Sequence, residues 1–192
     1  MRRLSILSTL LILGLTFPAI SMAQTELGFR GAGFSVGLVD PQDLDATLGF
    51  GMIADLGTLT PRTMLEANLG YWSQSEGVSG LGEISAHDIV FGGKAKYFFP
   101  MTDSALRPFA GAGLSLHFLK VEATLPDMDL GGLIIPGMSV EDSSTKLGLD
   151  LGGGMVTAIN GKTDLIGELW YAVVSDIGQF SFKLGVLYKL GI

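Results

Sequence analysis

The sequence predicts an all-β chain that closes into an eight-stranded antiparallel up-and-down transmembrane β-barrel. Three observations lead to this fold. Apolar and polar side chains alternate with a period of two along most of the chain, glycine and charge fall on the same side of that alternation, and every second connection between the predicted strands is short. Beyond residue 23 there is no apolar run long enough for a membrane-spanning helix, although 47% of the 192 residues are hydrophobic.

The composition excludes several classes of protein. Charged residues make up only 16% of the chain, which is too few for a disordered protein of this hydrophobicity. The formal net charge of −7 argues against a nucleic-acid partner, because such proteins carry a basic patch. The chain has no cysteine, which rules out a disulfide framework, a zinc–thiolate site, a thiol nucleophile and a lipidated cysteine.

The first 23 residues predict a secretory signal peptide. Arg2 and Arg3 precede an uncharged, largely apolar stretch from Leu4 to Phe17, and Ser21-Met22-Ala23 places small residues at a cleavage site. The apolar stretch has 14 residues, whereas a transmembrane anchor needs ~20. We therefore predict a signal peptide over 1–23 and a barrel domain over 24–192. Loss of the two arginines leaves 10 basic and 19 acidic residues, a net charge of −9.

The last segment shows the strand alternation most clearly, because a large apolar residue stands at every second position from Phe180 to Ile192. The first strand is the poorest match. Its apolar residues change phase between Phe29 and Phe34, which predicts a bulge near Gly31–Gly33. The eight predicted strands cover about 26–38, 46–56, 64–73, 88–99, 107–120, 145–156, 164–174 and 180–192.

The charged face of these strands is predicted to line the interior. A membrane barrel turns its apolar side chains to lipid and its polar ones to the lumen, while a soluble barrel does the reverse. Glycines favour the first arrangement, because an eight-stranded interior is only just wide enough for side chains. We predict a nearly balanced interior charge network of four acidic and five basic residues: Glu66, Asp88, Asp150, Glu168, Lys94, Lys96, Arg107, Lys146 and Lys183.

The predicted connections suggest an orientation. The alternate connections at 57–62, 100–106 and 159–162 are all short. Of the other four, at 40–45, 74–87, 122–144 and 175–178, two are long. Outer-membrane barrels have short periplasmic turns and longer extracellular loops, so we expect a periplasmic N-terminus and acidic extracellular loops. Aromatic residues near both ends of the strands, Trp72 and Phe109 among them, predict two girdles at the membrane interfaces.

Two parts of the sequence resemble the small outer-membrane β-barrel superfamily, which includes OmpX-like, OmpA-barrel and OmpW-like porin-family proteins. The segment 96–100, KYFFP, leads into 107–114, RPFAGAGL, like the central hairpin of that family. The last strand is similar to its assembly signal, with Lys183, Gly185, Tyr188 and Leu190 in the matching places, but the chain ends on Ile192 where the family usually has Phe or Trp.

This resemblance implies a place in the outer membrane of a Gram-negative bacterium, in contact with outer-membrane lipid. It also implies that periplasmic chaperones and the barrel-assembly machinery act on the chain during its biogenesis.

Candidates for catalysis, metal binding or cofactor binding are few. His87 and His117 lack the spacing of metal ligands. Ser115 and His117 share a strand face, and a carboxylate such as Glu66 or Asp150 could complete a triad. Such a site would resemble the lipid-A-modifying barrel enzymes, but these residues face the interior, where lipid has no access. We therefore predict no catalytic, metal or cofactor site.

An unusual feature is the apolar stretch 130–138, which lies in a predicted extracellular loop. Two interpretations are open. Either the flanking strands extend above the membrane and bury these residues against each other, or the stretch forms an adhesive or lipid-contacting tip or a plug over the barrel mouth.

Taken together, these features predict an integral outer-membrane protein with a structural or surface-interaction role. Its acidic loops are the expected place for an extracellular ligand. The alternative is a narrow porin-like channel for small or hydrophobic solutes, and a lipid-modifying enzyme comes third.

Overall fold

The structure is a computed structural model that describes residues 25–191 except 43, 79–81, 103, 130–133 and 175–176, so the predicted signal peptide over 1–23 lies outside the described residues. No helix among the described residues is long and apolar enough to cross a membrane. The strands are β1 (Glu26–Pro41), β2 (Thr47–Thr60), β3 (Thr63–Val78), β4 (Gly82–Phe98), β5 (Leu106–Leu125), β6 (Met128–Asp129), β7 (Ile134–Ile135), β8 (Met138–Asn160), β9 (Thr163–Val174) and β10 (Ile177–Lys189).

Eight of these strands close into a ring. Its order is β1-β10-β9-β8-β5-β4-β3-β2, every neighbouring pair is antiparallel, and β6 and β7 form a separate two-stranded ribbon. The predicted eight-stranded up-and-down barrel is confirmed. We call the end with the β1–β2, β3–β4, β5–β8 and β9–β10 connections the loop end, and the opposite end the turn end.

The strands are longer at the loop end than the sequence pattern predicted. The segment 74–87 was expected to be a connection, but β3 continues to Val78 and β4 begins at Gly82. Similarly, β5 and β8 take up much of the predicted connection 122–144. Those boundaries were wrong because backbone pairing continues where the apolar alternation has stopped, as in the pair between Glu76 and Ile84.

The extra length forms a four-stranded sheet that projects past the ring. Pairing between β2 and β3 ends at Trp72, and pairing between β9 and β8 ends at Gly148. Beyond these points β3, β4, β5 and β8 pair only with one another. We call this part the protruding sheet, and it comprises residues 73–78, 82–87, 120–125 and 138–147.

The bulge predicted in the first strand is present. The register between β1 and β2 shifts between Leu27 and Gly31, just before the predicted position. Leu27 and Phe29 are exposed on one side of this shift, and Phe34 is exposed on the other, although the two groups are out of phase in the sequence. Four steps from Leu27 to Gly31 on β1 stand against two steps from Gly57 to Asp55 on β2, so β1 has two extra residues at this irregularity.

The assignment of the two faces is confirmed. Leu184 and Phe91 are exposed on the outside, whereas Lys94, Asp150 and Glu168 are buried inside. This inverts the pattern of a soluble barrel, whose apolar side chains fill the core.

Two aromatic residues assigned to the girdles face inward. Trp72 and Phe109 are both 3% exposed and belong to apolar clusters in the interior. Placing them at the membrane interfaces was wrong, because both stand on the inward side of the alternation.

The interior holds two apolar clusters. The one nearer the turn end comprises Ile53, Phe109, Val156, Ile166, Trp170 and Leu187, with Phe98 packed against it. The one nearer the loop end comprises Val39, Trp72 and Ala86, with Leu44 and Leu119. Glycines make room for the larger rings: a Cβ atom on Gly152 would lie 2.7 Å from Cδ2 of Trp170, and one on Gly111 would lie 2.9 Å from its Cη2. These glycines therefore leave space in the narrow interior for the indole of Trp170.

Candidate functional site: the barrel interior and its two mouths

Lys96 is the centre of an ion-pair group inside the barrel. Its Nζ lies 2.6 Å from Oε2 of Glu66 and 2.9 Å from Oε2 of Glu168, so one lysine from β4 joins carboxylates from β3 and β9. All three side chains are almost completely buried. Buried charges are tolerated when they are paired and hydrogen-bonded in this way.

Lys94 extends this group towards the aromatic cluster. Its Nζ lies 4.0 Å from the ring centroid of Trp170, and Nζ of Lys96 lies 4.9 Å from that of Phe109. Both distances fit cation–π contacts, which strengthen when water is excluded. The charged group and the apolar cluster therefore form one packed layer across the barrel.

A second polar chain runs from Asp88 to Asp150. Nδ1 of His117 lies 2.6 Å from Oδ2 of Asp88, and Nε2 of His117 lies 3.1 Å from Oγ of Ser115. Ser115 in turn donates to Oδ1 of Asp150 at 3.2 Å. The predicted pairing of Ser115 with His117 is therefore present, but the carboxylate on the histidine is Asp88 and not Glu66 or Asp150.

The order of these contacts, carboxylate to Nδ1 and Nε2 to hydroxyl, is that of a catalytic triad, and the Ser115 hydroxyl lies at similar distances from His117 and Asp150. The difference from an active site is access: Ser115 is only 2% exposed, so a substrate cannot reach its hydroxyl without displacing other side chains. The arrangement satisfies buried polar groups in the way that structural networks do.

The remaining members of the predicted network lie elsewhere. Arg107 is half exposed at the turn end, where its Nη2 lies 2.9 Å from Oδ2 of Asp164. Nζ of Lys189 lies 2.8 Å from Oδ1 of the same carboxylate. Lys146 lines a cavity at the loop end, and Lys183 is half-buried.

Sequence reasoning left three interior or mouth residues out of the network, Asp55, Asp164 and Lys189. The period-two pattern contains a signal for the first two, since Asp55 and Asp164 stand in phase with inward residues of their strands.

A cavity occupies each end of the barrel. The turn-end cavity measures about 300 Å³ and is lined by Arg30, Asp55, Arg107 and Asp164 among others. The loop-end cavity measures about 190 Å³ and includes Trp72 and His117 in its wall. The two cavities share no lining residue, because the Lys96 group and the turn-end apolar cluster lie between them.

The loop end is acidic in the part of the chain that the structure describes. Asp40, Asp45, Glu76, Glu83, Glu122, Asp127, Glu141 and Asp142 lie there, against Lys120 and Lys146. Lys120 in the protruding sheet lies 2.8 Å from Glu141, and this hydrogen bond raises the pKa of Lys120. The basic side chains Arg30, Arg62, Arg107, Lys162 and Lys189 lie at the turn end.

No group of three or more histidine, aspartate and glutamate side chains among the described residues is arranged to hold a metal ion. His87 and His117 are on neighbouring strands, but His87 pairs with Lys120 and His117 with Val90 in the register between β4 and β5.

The family comparison decides which group of proteins this barrel represents. The outer membrane protein beta-barrel domain family matches residues 7–189, nearly the whole chain. This chain belongs to that family. The protein is therefore an integral outer-membrane β-barrel. No protein with a curated description matches the chain.

Solved structures of other members of this architecture superpose on the barrel. Neisserial surface protein A has a TM-score of 0.58 and 19% identity, and the match covers 84% of this chain and 96% of that one. A major outer membrane protein from Thermus thermophilus has a TM-score of 0.55 and 14% identity, with coverage of 83% and 99%.

The attachment invasion locus protein Ail of Yersinia pestis, solved in complex with the heparin analogue sucrose octasulfate, is also similar. Its TM-score is 0.52 at 13% identity, and the match covers 84% of this chain and 97% of that one. At these identities the likeness to all three proteins shows the fold alone.

Proposed function

We propose that this outer-membrane barrel acts at its surface, through contacts that the protruding sheet makes with molecules outside the cell. The observation that carries the proposal is the continuation of β3, β4, β5 and β8 past the ring. A ring needs only enough strand length to cross the bilayer, about 9–11 residues. Strands of up to 23 residues provide a surface that the membrane does not require.

The proposed orientation places the loop end outside and the N-terminus in the periplasm. Two of the three connections at the turn end contain only two residues between strands, at 61–62 and 161–162, which fits the short periplasmic turns of such barrels. In this orientation the acidic residues form the outer surface. Export would depend on the signal peptide predicted over 1–23.

The charge of the loop end favours a cationic partner. Ail was solved with a sulfated heparin analogue, which is strongly anionic. Here eight acidic residues against two lysines at the loop end would repel a polyanion and attract basic peptides or proteins. The outer partner is therefore proposed to be a basic macromolecular surface.

A binding experiment with model polyions tests this partner. The folded barrel in zwitterionic micelles is expected to bind a poly-lysine peptide in a salt-dependent manner and to bind heparin weakly. Neutralising Glu83, Asp127, Glu141 and Asp142 together as amides should weaken poly-lysine binding at least severalfold. The control is Glu26→Gln at the turn end, which should leave binding unchanged. Tighter binding of heparin than of poly-lysine in the parent protein would overturn the proposal.

The alternative function is a narrow channel for small or hydrophobic solutes. The two end cavities share no lining residue, and packed ion pairs and rings lie between them. We therefore expect no steady conductance steps in planar bilayers. Reproducible steps that disappear on heat unfolding would favour the channel.

The enzymatic alternative is disfavoured by the buried hydroxyl of Ser115. Cells that carry Ser115→Ala or His117→Ala should make lipid A of unchanged composition, as judged by mass spectrometry. A change in the acylation of lipid A on these substitutions would support the lipid-modifying enzyme instead.

The last strand is proposed to carry the assembly signal. On β10, Tyr188 is exposed on the lipid face while Lys183 and Gly185 face inward, and Leu190 is exposed just after the strand ends. Periplasmic chaperones and the barrel-assembly machinery are the proposed partners of this segment during biogenesis.

A further inference from the structure

The loop-end cavity combines apolar walls with a polar floor. Trp72, Ala86, Leu119 and Val174 supply apolar lining, and Asp88 and His117 lie at its inner end. Its volume of about 190 Å³ is smaller than the ~300–1,000 Å³ of pockets for drug-sized ligands, so it suits a molecule of about ten non-hydrogen atoms.

The floor contains a carboxylate oxygen without a hydrogen-bond donor. Asp88 is 0% exposed, and its Oδ2 is bound by Nδ1 of His117. No described residue donates a hydrogen bond to the other oxygen, Oδ1. A buried acceptor left unpaired is costly, so the site favours any occupant that brings a donor to that atom.

Two further features select a positively charged donor. Trp72 lines the same cavity, and its Nε1 donates to Oε1 of Gln179 at 3.2 Å, which ties the indole of β3 to β10. The face of an aromatic ring attracts an organic cation. The acidic residues of the loop end also raise the local concentration of cations at the mouth.

The charged groups of the lining itself are mixed. Asp88 and Asp142 are acidic, Lys146 is basic, and His117 already contacts Asp88. Lys146 comes from β8, on the opposite side of β5 from the strand that carries Asp88. Only Asp88 among these groups combines complete burial with an oxygen that lacks a hydrogen-bond donor.

We propose that the loop-end cavity is a binding site for a small organic amine in its ammonium form. The ammonium group donates to Oδ1 of Asp88, and the apolar body of the ligand packs against Trp72 and Leu119. The protruding sheet supplies Ala86, Val121, Asp142 and Lys146 to the cavity wall. The ammonium contact is made by Asp88, which lies inside the ring, so the site does not depend on the surface interaction proposed above.

The test compares an amine with its neutral analogue. Binding of 2-phenylethylamine and of 2-phenylethanol to the folded barrel in zwitterionic micelles is measured by calorimetry. The amine should bind about tenfold or more tightly than the alcohol, because a hydrogen bond to a charged group is stronger than one between neutral groups. Asp88→Asn should remove this preference, while Asp164→Asn, a buried carboxylate of the turn-end cavity, should retain it.

A second variant keeps the proposal testable if Asp88→Asn fails to fold. Ala86→Leu fills the cavity without removing a charge, so it should abolish binding of both probes and leave poly-lysine binding intact. Equal affinity of the parent protein for amine and alcohol would overturn the proposal, as would amine binding that survives Ala86→Leu. Absence of binding by either probe would mean that the cavity holds only water, and would overturn it as well.

Discussion

At the residue scale, Lys96 lies in an environment unlike that of an ordinary surface lysine. It contacts two carboxylates from two other strands while almost completely buried. Removing one partner of a buried ion pair leaves an uncompensated charge, whereas replacing every partner by a neutral group is far less costly. The Lys96 group therefore acts on stability as a unit.

Lys96→Met should destabilise the barrel by about 3–5 kcal/mol, because Glu66 and Glu168 would lose their common partner. Urea unfolding in lipid vesicles measures the change. Lys162→Met, at an exposed turn position, should change stability by less than about 0.5 kcal/mol.

The quadruple variant Lys96→Met, Lys94→Met, Glu66→Gln, Glu168→Gln should recover most of the loss, since no buried charge of this group would remain. Equal stability of Lys96→Met and Lys162→Met would contradict the ion-pair account.

Sequence reasoning identifies interior residues better than it identifies their partners. Alternation along β4 indicates that Lys94 and Lys96 face inward, and both are buried. It does not indicate that Lys96 meets Glu66 and Glu168, because the stagger of the strands determines which positions lie at the same height. The same limit explains why Asp88, and not Asp150, holds His117.

At the element scale, β8 shows how glycine and a large ring are matched. Gly152 lies opposite Trp170 of β9 in the strand register, and Gly154 lies opposite Glu168. A Cβ atom on Gly154 would lie 2.9 Å from Cζ of Phe109. The glycine run 152–154 is therefore the place where β8 passes the aromatic cluster.

Gly152→Ala should destabilise the barrel by about 1–3 kcal/mol, the cost of overpacking. The added Cβ would lie 2.3 Å from the carbonyl oxygen of Leu169 and 2.7 Å from the ring of Trp170. Gly77→Ala in the protruding sheet is the matched control, because a Cβ there meets nothing within 4 Å. The unfolding temperatures of the two variants are compared by the change in gel mobility on heating. Equal midpoint temperatures would show that the interior around Trp170 is not tightly packed.

We expect the eight-stranded ring to close without the protruding sheet. Replacing residues 122–141 by an Asn-Gly turn should leave the heat-modifiable gel mobility of the barrel unchanged, because β5 and β8 still pair from Val121 to the turn end. Poly-lysine binding should fall in this variant. If the unheated shortened chain does not migrate as a folded barrel on the gel, the protruding sheet contributes to closing the ring.

The ends of β3, β4, β5 and β8 could not be predicted from alternation alone. An apolar side chain at every second position is selected only where one face meets lipid. Above the membrane both faces of a sheet meet water, so polar residues such as Ser75 and Ser85 pair across strands without leaving a pattern. For the apolar stretch 130–138, the extension of the flanking strands is present, because β5 continues to Leu125 and β8 begins at Met138. Residues 130–133 lie outside the described residues, and Met138 is exposed.

At the scale of the whole molecule, charge is distributed unevenly along the barrel axis. Acidic residues dominate the loop end and basic residues the turn end, with a nearly neutral charged layer between the two cavities. The predicted connections already indicate acidic loops, and the fold adds that basic side chains gather at the opposite end of the barrel. This distribution supports both the proposed basic outer partner and the proposed amine site.

The most direct test of the account is whether the apolar face contacts lipid hydrocarbon. Methyl groups of the protein in nanodiscs would be tested by NMR for Overhauser effects to the acyl chains. Outward Leu48, Leu114, Val173 and Leu184 should show them, and inward Ile53, Val156, Ile166 and Leu187 should not. Acyl-chain contacts at the inward methyls, with the outward ones in contact with water, would contradict the inside-out barrel.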